Sequence, residues 1–134
     1  MKFLGIDYGE RRTGLAIGDT EQKIAIPLRT LAEKNVAATH AAIERVVADE
    51  QIDGLVIGEP LTLMGERGPA AERVRTFAQA LQSRLRSLPI FFVDERMTSQ
   101  LADRVRAYSG QERDALAAAA ILQTYLDGQE QRKR

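Results

Sequence analysis

Three short apolar runs crowd into the first 28 residues, and helical and strand-like segments alternate after them. A chain ordered in this way buries all of its runs by forming one mixed sheet with helices on both faces. Lys2–Asp7 is nearly all apolar, the mark of a strand buried on both sides. Tyr8-Gly9-Glu10-Arg11-Arg12 is a turn. Thr13–Gly18 and Lys23–Leu28 then read as a second and a third strand joined by antiparallel hairpin connections. From Asn35, an N-cap, the residues Val36, Ile43, Val46 and Val47 recur at helical spacing through Glu50. Ile52–Gly58 reads as a buried strand closed by Glu59-Pro60. Pro69 opens a second helix with an apolar stripe of Val74, Phe77, Ala78, Leu81 and Leu85. Pro89 ends that helix, and Ile90–Val93 is a short fifth strand. A third helix is expected over Met97–Tyr108, capped by Thr98 or Ser99 and stopped by Ser109-Gly110. A fourth, rich in Ala and Leu, is expected over Asp114–Leu126, and the polar tail 128–134 is expected to fray. The expected class is α/β, with a five-stranded mixed sheet made of three antiparallel N-terminal strands and two parallel ones.

A chain of 134 residues fills one well-packed core and is short for two, so a single domain over 1–134 is expected. The absence of cysteine removes disulfides, thiolate metal sites and thiol catalysis, and fits a cytoplasmic protein. No apolar run approaches the roughly 20 residues that span a bilayer, so no membrane partner is expected. The balance of 19 basic and 19 acidic residues argues against a nonspecific cationic coat for nucleic acid, so any phosphate binding must be local. The basic residues are 15 Arg and 4 Lys. Arg presents a planar fork to phosphate, although genomic base composition also favours it.

Asp7, Glu95 and Asp114 are the candidate site acids. Asp7 and Glu95 follow strand-like runs, where open α/β sheets build their sites beyond the carboxyl ends of parallel strands. Asp114 opens a helix, where an acid is also routine as a partner of free N–H groups. Carboxylates converging in such a crevice are hard oxygen donors suited to Mg²⁺ or Mn²⁺, ions that commonly serve phosphoryl chemistry. Gly9 and Gly14 beside Asp7 let a phosphate approach the backbone closely. Read blandly, the same motif is a glycine-assisted turn with Asp7 as its hydrogen-bond acceptor. It also opens actin-like and sugar-kinase ATPase domains, which need a second similar domain for which this chain has no room. Successive residues of an extended strand face opposite ways, so at most one of Asp94 and Glu95 is expected to face the crevice unless the strand ends between them. Asp94 and Arg96 then read as a surface ion pair.

Taken in order, Gly5-x-Asp7-x-Gly9-x-x-Arg12-x-Gly14-x-Ala16, Gly58-x-Pro60-Leu61 with Gly65, Asp94-Glu95-Arg96-x-Thr98, and Asp114 leading into Ala118-Ala119-x-Ile121-Leu122-Gln123-x-Tyr125-Leu126 resemble the YqgF family, also called RuvX. The resemblance covers nearly the whole chain. It implies a ribonuclease H-like fold and a metal-dependent nuclease with Asp7, Glu95 and Asp114 as metal-binding, catalytic acids. Asp7 is the candidate for bridging two ions. The resemblance also implies a nucleic-acid partner, with 5′-end maturation of precursor 16S rRNA ranked above cleavage of a four-way DNA junction. A catalytically silent RNA-binding or transcription-associated module is a further alternative, and the protein is expected to be a monomer or a homodimer. Two departures stand out. Only Ser109–Arg113 precedes Asp114, where family members usually carry a longer basic loop, and Glu59 stands where a non-acidic residue is usual. Glu59 reads either as an additional metal ligand or as a solvated loop acid.

Gly9, Arg11, Arg12, Arg96 and Thr98 are the expected substrate-binding residues, with Arg11 or Arg12 clamping backbone phosphate beside Asp7. Arg73, Arg75, Arg84 and Arg86 flank the second helix's stripe and read as side chains snorkelling over the core edge. His40, the only histidine, reads as a surface residue rather than a base. Tyr8 either stacks on a base or fills the hairpin.

Overall fold

The structure is a computed structural model that describes residues 1–98 and 110–132. Five strands form one sheet in the order β3-β2-β1-β4-β5, built from β1 (Lys2–Asp7), β2 (Thr13–Asp19), β3 (Ala25–Leu31), β4 (Gly54–Glu59) and β5 (Ile90–Asp94). β1 pairs antiparallel with β2 and parallel with β4, while β4 and β5 run parallel. The expected mixed sheet is therefore present. Helices α1 (Val36–Glu50) and α2 (Pro69–Arg84) cover one face, and α3 (Gly110–Arg132) covers the other.

Alternation along the strands decides which face each side chain serves. Leu4 and Ile6 of β1 and Leu55 and Ile57 of β4 belong to the core under α1 and α2. Phe3 and Val56 belong to the core under α3, together with Ala118, Ile121, Leu122 and Leu126. Each fully buried Leu or Ile in these cores contributes roughly 1.5–3 kcal/mol of transfer free energy. The Asn35 side chain caps α1 by accepting from the Ala38 N–H at 2.8 Å, as its position before the apolar stripe predicts. The Gln123 side chain locks α3 to the sheet edge, accepting from the Ala25 N–H and donating to the Lys23 carbonyl.

Several expectations are corrected. β3 starts at Ala25 because Lys23 adopts a left-handed φ of 59° and closes a turn back onto Asp19. It then passes Pro27 through a register shift opposite Leu15/Ala16, which a proline tolerates on an edge strand. The last helix begins at Gly110 rather than Asp114 and continues to Arg132 rather than ending at Leu126. Gly110 opens that helix, and the segment taken as a short loop before Asp114 forms its first turn from Gly110 onward. Of the third helix expected over Met97–Tyr108, Met97 and Thr98 lie in a 3-10 turn, Glu95–Thr98, and the remainder falls outside the described residues. His40 is not on the surface. It is buried between α1 and α2, with Nε2 3.3 Å from the Phe77 carbonyl and its ring stacked on Phe77, and burial lowers its pKa below the ordinary histidine value. Among the described residues, no helix is long and apolar enough to cross a membrane.

Candidate active site

β1 and the turn after β5 deliver two acids to the same side of the sheet. By alternation from Phe3 through Gly5, Asp7 faces α3, and Glu95 follows Val93 onto that face. Glu95 Oε1 reaches across Gly58 of β4, where a Cβ would stand 2.6 Å from it. Asp7 and Glu95 share a side-chain hydrogen bond, which requires one proton between the two carboxyl groups. Burial, followed by the charges of Glu95 and Asp114, pushes the Asp7 pKa from 3.8 up to about 8. Burial also raises Glu95 above the ordinary carboxylate range.

Asp114 comes from the second turn of α3. Its backbone carbonyl lies so close to Gly14 of β2 that any side chain at that position would collide with it. The missing Cβ lets the helix bring Asp114 down to the end of β1. The Asp114 carboxylate is gripped by Arg12 Nε at 2.6 Å, and the same guanidinium lies over Gly110. Arg12, expected on substrate phosphate, thus holds one of the three acids, and Arg11 is exposed beside it.

Asp94 and Arg96 form the surface pair that the strand alternation predicts. Arg96 Nη2 donates to Asp94 at 2.6 Å, which holds the Asp94 carboxyl below its usual pKa, and Arg96 Nη1 donates to the Leu63 carbonyl at 3.3 Å. Thr98 closes the 3-10 turn. Gly9 lies in the β1–β2 turn, and Tyr8 stacks on Phe77 with ring centroids 4.1 Å apart, filling the hairpin's core side.

Glu59 is neither a solvated loop acid nor part of the carboxylate cluster. It follows Leu55 and Ile57 on the α1/α2 face of β4, the opposite side from Asp7, and is 6% exposed. Arg75 of α2 binds it through two bonds, Nε at 2.7 Å and Nη2 at 2.9 Å, and Arg67 Nε adds a third contact at 3.1 Å. These cations hold Glu59 below the ordinary carboxylate range, with the Arg75 hydrogen bonds as the largest cause. Arg75, read as a snorkelling side chain, is therefore a buried partner, and its guanidinium also lies 3.6 Å over the Phe92 ring. Counting alternate residues along β4 is the signal that separates Glu59 from the site. Arg73 and Arg84 do sit at the helix surface, paired with Glu10 and Glu44.

The residues fit a divalent cation by the chemistry of their donors: two enclosed carboxyl groups forced to share a proton, with a third close enough to disfavour its loss. Among the described residues, no three His, Cys, Asp or Glu side chains close into a ready cation cage, and Asp114 is paired with Arg12.

This sheet order, with acids at the ends of β1 and β5 and on the covering helix, defines the ribonuclease H-like fold. The structure of Thermus thermophilus RuvC in complex with a Holliday junction substrate aligns over 97% of this chain and 96% of its own, with a TM-score of 0.67 at 17% identity. The chain belongs to the RuvX family, whose model, described as Holliday junction resolvase, matches residues 1–128. It is 42% identical over 132 residues to a Chloroflexus aurantiacus protein named "Putative pre-16S rRNA nuclease", covering 93% of this chain and 86% of the relative. A Moorella thermoacetica protein of the same name is 39% identical, covering 95% of each.

Proposed function

We propose that this protein is a metal-dependent nuclease that hydrolyses phosphodiester bonds in RNA, with precursor 16S rRNA as its substrate. The observation that carries the reading is the enclosed Asp7–Glu95 pair with Asp114 beside it, a cluster whose repulsion a hard divalent cation relieves. The names of the two relatives support RNA as the substrate.

Asp7, Glu95 and Asp114 would hold one or two Mg²⁺ or Mn²⁺ ions. Such ions lower the pKa of an attacking water and stabilise the leaving oxygen of an in-line displacement. The chain's own residues do the rest. Asp7 and Glu95 are held close enough to share a hydrogen bond, and both would be deprotonated as ligands of a bound cation. Arg12 holds Asp114 at 2.6 Å, and Arg11, exposed beside it, would meet the backbone phosphates flanking the scissile bond. Gly9 lets the β1–β2 turn close tightly, since a Cβ there would stand 2.5 Å from the Arg12 carbonyl.

The deciding experiment is cleavage of end-labelled 16S precursor RNA and of a four-way DNA junction in Mg²⁺ or Mn²⁺, comparing wild type with Asp7→Asn. RNA cut by wild type and not by a folded Asp7→Asn is the expected result, whereas an active Asp7→Asn sinks the site assignment. The family description and the RuvC likeness favour one second reading, a junction resolvase. Junction cleavage without RNA cleavage, together with a two-fold dimer, would select it.

A further inference from the structure

The loop from Pro60 to Gly68, between β4 and α2, carries two large apolar side chains that neither core uses. Leu63 is 94% exposed and Met64 83% exposed. Isolated exposed apolar residues need no explanation, but these two stand side by side on a turn that is built to hold them out. The Gly65 N–H donates to the Thr62 carbonyl at 2.8 Å, and the Thr62 N–H donates to the Glu66 carbonyl at 2.9 Å. The Glu66 N–H donates to Thr62 Oγ1 at 3.1 Å, and Gly65 takes the positive φ of 80° that closes the turn. Two guanidinium groups brace its feet. Arg67 reaches Glu59 on one side, and on the other Arg96 bridges Asp94 to the Leu63 carbonyl.

That second brace ties the tip to the carboxylates, because Arg96 directly follows Glu95, the partner of Asp7. Met97, the next residue, is itself 72% exposed. The tip's place beside the carboxylate site suits the nucleic acid that site would cut. Each guanidinium has five N–H donors, and the Arg67 and Arg96 side chains are 52% and 41% exposed. A second protein copy fits poorly, since three side chains fall far short of the roughly 800 Å² per partner that a stable interface buries.

We propose that the Leu63–Met64 tip is a wedge that inserts into a base step of the nucleic-acid substrate next to the scissile phosphate, with Arg67 and Arg96 against the flanking backbone. The inference rests on the nuclease reading of the carboxylate site. Apolar wedges of this type unstack a base step and kink the strand, which turns a phosphate outward. Bracing the loop in advance lowers the ordering cost that a flexible loop would meet on binding.

The test uses the full chain and a 16S-precursor RNA hairpin with 2-aminopurine at the base step beside the processing site; its fluorescence rises when the base unstacks. Wild type and Asp7→Asn should both raise the signal on binding, because the wedge needs no cleavage. Leu63→Ser/Met64→Ser, altered only at exposed positions, should bind about tenfold more weakly and leave the signal near that of free RNA. It should also lose activity on the hairpin. A signal that is flat with wild type on both the hairpin and a four-way DNA junction carrying the same probe, or equal with wild type and the double variant, overturns the wedge. If wild type cuts no RNA but still raises a signal that the double variant loses, the nuclease reading fails and the wedge stands. A four-way DNA junction carrying the same probe, run in parallel, identifies DNA as the wedged substrate if it alone responds.

Discussion

The Asp7 side chain, enclosed at the end of β1 with Glu95 and Asp114 beside it, stays protonated up to a pH of about 8. In the unfolded chain the same carboxyl ionises near 3.8. Between those values the folded protein holds a proton that the unfolded chain has lost, so this residue makes the metal-free protein less stable as pH rises through that window. Asn keeps the shape of the side chain without its charge. Metal-free Asp7→Asn should therefore melt above wild type near pH 8, by roughly 1–3 kcal/mol, with the advantage shrinking toward pH 4. Differential scanning calorimetry in EDTA across that range checks it, and a variant no more stable than wild type at pH 8 contradicts the burial argument. The same substitution abolishes the proposed cleavage, the usual opposition between stability and activity at a site.

β4 shows how an element sorts its side chains. Leu55, Ile57 and Glu59 face α1 and α2, and the acid is tolerated there because Arg75 meets both of its oxygens and stacks on Phe92. Breaking such a pair leaves a guanidinium partly enclosed with poorer partners. Glu59→Gln should cost on the order of 1–3 kcal/mol in thermal or urea unfolding. It should leave the affinity for Mn²⁺ unchanged, measured by calorimetric titration, because Glu59 lies on the other face of the sheet from Asp7. A large loss of Mn²⁺ affinity would return Glu59 to the metal site.

Viewed across the molecule, the three acids come from the beginning, the middle and the end of the chain, and the sheet with its two cores is what gathers them. A ligand held by such a site binds the folded state and not the unfolded one, so its binding free energy adds to stability. Mg²⁺ or Mn²⁺ at a hundred times its dissociation constant should stabilise wild type by about 2.7 kcal/mol and raise its melting temperature accordingly. Asp7→Asn should lose most of that rise. Equal metal-induced shifts in the two proteins would place the cation elsewhere.

Local pattern sufficed for β1, for the Asn35 cap and Pro69 start of the first two helices, and for the parity that sends Glu95 and Asp94 to opposite sides, because each depends on neighbours within one element. Motif order also carried the three acids and the fold family. Other features depend on residues far apart in the chain, which no local window reports. His40 is buried because Phe77, 37 residues away, stacks on it, and Arg12 holds Asp114 across 102 residues. The last helix starts earlier than its apolar stripe implies, with the Thr30 hydroxyl donating to the Gln111 carbonyl at its first turn. Alternation and capping are short-range effects written into the chain, whereas ion pairing, burial and a shifted pKa depend on which distant groups the folded sheet brings within a few ångströms.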